Sequence, residues 1–114
     1  MSLKEALAAV VRGVRLGRGF TQEDLSAVDR SYLIRIEGGK INITVEMLQR
    51  IAELLQVDAG LLLSLAASLQ ADGTPESTNS RLIVQMHELK HSGIFESIAT
   101  TLKTPRAASG RGLR

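Results

Sequence analysis

Residues 29–40 read DRSYLIRIEGGK. Asp29 is a natural N-cap, since its carboxylate accepts the free amides of a first helical turn. Gly38-Gly39 is a natural stop, because glycine takes the left-handed backbone of a helix end without steric cost. Arg30 to Glu37 therefore predicts a helix of about two turns. Leu33 and Ile36, three residues apart, share its inward side. Arg30, Ser31 and Arg35 are left together on the outward side, where two guanidinium groups and a hydroxyl are free to meet an anionic partner.

Toward the N-terminus, Thr21-Gln22-Glu23-Asp24 has the form of another helix start, with Thr21 as N-cap and acids in the first turn. That helix is short, because Asp29 opens the next one only eight residues later. Ahead of it, Leu3, Leu7, Val10, Val11, Val14 and Leu16 recur at helical steps and predict an amphipathic helix ended by Gly17 and Gly19. Its other face carries Lys4, Arg12, Arg15 and Arg18. Toward the C-terminus, Thr44 caps a fourth helix with Val45, Leu48, Ile51, Ala52 and Leu55 inward, and Val57-Asp58 opens a leucine-rich fifth reaching about Leu69. Residues 71–80, ADGTPESTNS, are polar with Gly73 and Pro75 and read as a linker. Residues 81–104 form a last helical segment, with Leu82, Met86 and Leu89, then Ile94, Phe95, Ile98 and Leu102 beyond Gly93. Pro105 ends it, and the basic tail 105–114 is expected to be disordered.

The composition points the same way. The 114 residues are enough for one domain, over about 1–70, with an appendage. Hydrophobic residues make up 44% and aromatic ones 3%, so the core must be Leu, Ile, Val and Ala, which favours an all-α fold. Cysteine is absent, which excludes disulfides and Cys-based zinc or redox sites. The longest apolar run falls short of the ~20 residues of a membrane span. MSLKEALAAVV lacks the features of a signal peptide, so a cytoplasmic location with no membrane partner is expected. The net charge of +2 is uneven. Residues 1–42 hold seven basic and five acidic side chains, 43–102 three and seven, and 103–114 four and none. A basic front and tail fit an anionic partner.

Beyond these patterns, FTQEDL (20–25), DRSYLIRIEGGKIN (29–42) and TVEMLQRIAELLQVDAGLLL (44–63) follow one another in an order that resembles the lambda-repressor/Cro-like (Xre-type) helix-turn-helix DNA-binding domains. The resemblance covers about residues 3–66. It implies a five-helix repressor-like domain whose recognition helix, 30–37, enters the major groove. Arg30, Ser31 and Arg35 would face bases, an arginine being able to donate two hydrogen bonds to guanine O6 and N7. Tyr32 would reach a base or a phosphate, or pack on the helix flank. Gln22 would contact a backbone phosphate and brace the recognition helix, and Arg18, Lys40 and Asn42 would meet phosphates as well. The helix starts at Gln22 and Arg30 offer backbone amides to the same anions. Arg15 and Glu37 would form a partly buried ion pair joining the first helix to the recognition helix. The implied function is a DNA-binding transcriptional regulator, a repressor, in a bacterial or phage setting at the nucleoid. It would be no enzyme and have no cofactor.

One departure stands out. Gln22 and Glu37 are 15 positions apart, about three fewer than in the family, and the gap falls around Ser26-Ala27-Val28. The second helix should lose most of a turn, which puts in question the angle of the recognition helix. A domain of this kind covers one half-site, so double-stranded DNA is expected to be bound by a homodimer on a palindrome. Leu82, Met86, Leu89, Ile94, Phe95 and Ile98 supply an apolar surface that either pairs two copies or packs back on the domain. The alternative is an antitoxin-like module whose C-terminal helix binds another protein. His87 to His91 reads HELKH and fits the zinc-peptidase pattern H-E-x-x-H. Catalytic zinc needs a third protein ligand, and after His91 only Glu96 follows, five residues on. No metal site is expected.

Overall fold

The computed structural model describes residues 1–103, in which the elements are all helical. α1 spans Leu3–Gly17, a 3-10 turn Glu23–Leu25, α2 Arg30–Glu37, α3 Val45–Leu55, α4 Ala59–Gln70, α5 Pro75–His91 and α6 Ile94–Lys103. No single helix among them is long and apolar enough to cross a membrane. The chain divides into two compact units, Met1–Asn79 and a second beginning at Ser80. The expectation for the basic tail lies outside the described residues.

In the first unit, α1 begins with a reciprocal cap. Ser2 Oγ accepts from the Glu5 amide at 3.1 Å, and Glu5 Oε1 accepts from the Ser2 amide at 2.9 Å. Two sets of apolar side chains meet around α1 and α3. Ala6, Leu7 and Val10 join Leu48, Ala52, Leu62 and Ala66 on the side of α4. Val11 joins Leu25, Val28, Leu33, Ile36, Ile51 and Leu55 on the side of α2. α3 and α4 meet at 104°, so that both can reach α1. Burying a side chain such as Leu33 or Ile36 stabilises by about 1.5–3 kcal/mol each. Position, more than propensity, therefore holds an eight-residue helix in place.

The structure corrects several expectations. The second of the five expected helices, already expected to be short, is the 3-10 turn, and the other four are α-helices. Its start keeps the expected cap: Thr21 Oγ1 accepts from the Asp24 amide at 3.1 Å, and Asp24 Oδ2 accepts from the Thr21 amide at 2.7 Å. Too little chain remains before Asp29 for α-helical bonds. The i→i+3 bonds of the tighter turn bring Leu25 and Val28 to one side, and both are buried. Leu3, Leu16 and Val45 are exposed rather than inward. Arg15 of α1, expected in a partly buried pair with Glu37, is 6% exposed.

The linker 71–80 is mostly helix, because α5 starts at Pro75. Proline suits a first helical position, where no amide is needed. Thr74 Oγ1 accepts from the Ser77 amide at 3.1 Å, and Ser77 Oγ accepts from the Thr74 amide at 3.3 Å, so the polar residues are a helix start. Thr78 is buried there, and Ser68 Oγ donates to the Gly73 carbonyl at 3.1 Å. The segment expected over 81–104 is, in its described part up to Lys103, two helices, broken at Ser92-Gly93, where Gly93 takes φ +82°.

Candidate nucleic-acid interface

α2 is held from behind at both ends. At its C-terminal end Glu37 receives three bonds. Arg15 donates through Nε to Oε2 at 2.7 Å and through Nη2 to Oε1 at 2.9 Å, and Gln22 Nε2 donates to Oε1 at 3.3 Å. The two charged side chains are 8% and 4% exposed. This two-point bond fixes direction as well as distance. Arg15 Nη1 also donates to the Phe20 carbonyl at 2.9 Å, tying the loop after α1 into the same cluster. Glu37's bonds raise the pKa of the Arg15 guanidinium. Gln22 thus touches the end of α2 through Glu37, and it lines one cleft with Arg30.

At the N-terminal end Asp29 caps α2, its Oδ2 accepting from the Tyr32 amide at 3.1 Å. The same oxygen accepts from the Ser31 hydroxyl at 2.7 Å. The Ser31 bond, then the Tyr32 amide, hold the Asp29 carboxyl below its ordinary value of 3.8.

With Leu33 and Ile36 inward, the 100° step of an α-helix places Arg30, Ile34, Ser31 and Arg35 in sequence around the outward side. All four are exposed, Ile34 at 49%. Sequence reasoning passed over Ile34, although the same step signals it: an apolar side chain between two arginines on the wet side of a helix. Tyr32 is half-buried against the apolar set behind α2, and the Arg35 guanidinium lies 5.8 Å from its ring centre. That is a cation–π distance, and it orients Arg35 along the flank. Lys40 and Asn42 are both exposed, and Asn42 borders a small pocket with Lys4 of α1.

Arg18 has a second partner besides solvent. It is exposed, but Nη2 donates to the Gln56 carbonyl at 3.0 Å, closing the C-terminus of α3. Gln56 is left-handed there, with φ 63°, and a cation suits the negative end of a helix dipole. No local signal joins residues 18 and 56.

Three α-helices and a 3-10 turn hold the short, outward-facing α2, with a buried ion pair at its end. A family model described as helix-turn-helix matches residues 11–62. Residues 11–62 are a helix-turn-helix domain of the Xre, or lambda-repressor, type. Nothing among curated proteins or among solved structures matches the chain. Helix-turn-helix domains of this type are DNA-binding regulatory modules. The match starts within α1 and ends within α4, so it contains the outward face of α2, Gln22, and the Arg15–Glu37 pair.

In the second unit Leu82, Met86, Leu89, Ile94, Phe95 and Ile98 are all exposed, from 39% for Leu82 to 51% for Met86. Ile83, Val84 and Leu102 extend the apolar surface. His87 and His91 are exposed on α5.

Proposed function

We propose that this chain is a sequence-specific transcriptional regulator, a repressor, that binds a palindromic operator as a homodimer with α2 in the major groove. The observation that carries the reading is the outward face of α2, with Arg30, Ser31 and Arg35 exposed on a helix locked from behind. Gln22, Lys40 and Asn42 contact phosphates, which set register and orientation rather than sequence. Arg18 contributes through the guanidinium N–H groups that Gln56 does not use. Ile34 offers the apolar contact that reads a thymine methyl group. The protein acts in the cytoplasm, at the DNA it controls. The test is fluorescence titration on fragments selected from genomic or random DNA. Arg30→Ala combined with Arg35→Ala should lose at least tenfold in specific binding and leave the fold intact. Unchanged binding rejects the assignment of the face.

The exposed row Leu82, Met86, Leu89, Ile94, Phe95 and Ile98 pairs two copies in this reading. The same exposure favours a second one, an antitoxin-like role in which the row holds a different protein. Sedimentation of the purified chain separates them: a dimer supports the first, and a monomer that co-purifies with one stoichiometric partner supports the second.

A further inference from the structure

A serine hydroxyl has one proton to donate and two lone pairs to accept with. Ser31 spends its proton on Asp29, at 2.7 Å. The direction is not in doubt chemically, because an ionised carboxylate only accepts. The length is that of a charge-assisted O–H···O⁻ bond, among the stronger kinds. The Asp29 carboxyl, held by this bond below an ordinary value of 3.8, is ionised at neutral pH, which preserves the direction. Both residues are exposed at the groove-facing start of α2. What they present outward is therefore a set of acceptors with no proton to give.

In the major groove each base pair shows one amino group, on adenine N6 or cytosine N4, while guanine and thymine show acceptors. We propose that Ser31, oriented by Asp29, is a specificity-determining residue that reads an adenine or cytosine amino group. It would disfavour guanine O6 or thymine O4 at the same point. This rests on α2 being the DNA-reading helix, and it sharpens that reading. Arg30 and Arg35 carry only donors and select guanine-type acceptors. The half-site then combines one position of each polarity. Asp29 acts through Ser31 as a positioning residue.

The experiment compares the full-length protein with its Ser31→Ala and Asp29→Asn variants on sites selected by the unmodified protein. Asparagine still caps α2, but its neutral carbonyl accepts the serine proton less strongly than a carboxylate does, so the hydroxyl is held less firmly in one direction. Ser31→Ala should relax one base pair per half-site by about five- to tenfold, in the range of one lost hydrogen bond. The Asp29→Asn variant should relax the same pair. At that pair, purine in place of adenine, or 2-pyrimidinone in place of cytosine, should weaken the unmodified protein by a similar factor. Ser31→Ala should be indifferent to either analogue. If no pair relaxes in Ser31→Ala, or if 7-deazaguanine matters at the relaxed pair and the amino group does not, the assignment of Ser31 is overturned while α2 remains the reading helix. If the unmodified protein selects no sequence at all, the operator-binding reading fails, and this inference with it.

Discussion

Arg15 and Glu37 illustrate how much a single buried pair decides. Taking both charges out of water is costly, and their two-point bond offsets that cost only while both are present. Glu37→Gln should therefore destabilise by about 3 kcal/mol in urea unfolding, because it strands a buried guanidinium. Arg15→Met combined with Glu37→Leu should recover much of the loss, and failure to recover would mean that the pair contributes more than charge balance. At the other end of α2, the Asp29 carboxyl titrates below its unfolded value near 3.8. Its contribution is complete above that pH and is lost as the pH falls through the folded value. Stability measured from pH 6 down to 2 should fall more steeply in the unmodified chain than in Asp29→Asn. Lys40 is exposed just beyond α2, and in the proposed complex it acts on DNA as a charge. Lys40→Ala should weaken binding equally across sequences and reduce the slope of log K against log salt by about 0.9, as a salt titration would show.

Between elements, the chain spends its turns economically. Gly39 follows α2 with φ +69°, and an added Cβ would lie in ordinary contact with Glu5 and Ala8 of α1. Space is available, so the cost is conformational. Gly39→Ala should lower stability by about 1 kcal/mol, read as a lower midpoint in thermal unfolding. The bounds of α2 were legible from Asp29 and Gly38-Gly39, and its inward side from Leu33 and Ile36. The 3-10 turn was legible only as a shortening. The choice of i→i+3 bonds depends on Leu25 and Val28 both finding the core behind α2, a long-range matter. Thr74-Pro75 carried a helix start in plain view. The surrounding Gly, Ser and Asn obscured it, because the same residue types serve loops and caps.

At the scale of the molecule, one unit carries the helix-turn-helix domain and the other an apolar surface that the monomer leaves open. In the proposed dimer, that surface converts two weak half-site contacts into one strong one by raising the local concentration of the second domain. Charging it should separate the two roles. Met86→Glu with Ile98→Glu should give a monomer by analytical ultracentrifugation. Helical content should stay the same, and operator binding should fall by at least tenfold. A dimer that persists in this variant would place the pairing surface elsewhere.

Local sequence determined what local chemistry can determine. Capping residues, left-handed glycines and three-and-four spacing act over a turn or two, and they were enough to mark α1 to α4, the outward Arg30, Ser31 and Arg35, and the helical character of the tail segment. Tertiary structure decided what depends on residues far apart in the chain. It tied Arg15 to the Phe20 carbonyl as well, gave Arg18 to the Gln56 carbonyl, and left Leu16 in water. The physical reason is that helical periodicity says which residues share a face. Which face is covered depends on the neighbours that arrive, and the burial of Arg15 was legible only through the family resemblance, because its partner lies 22 residues away.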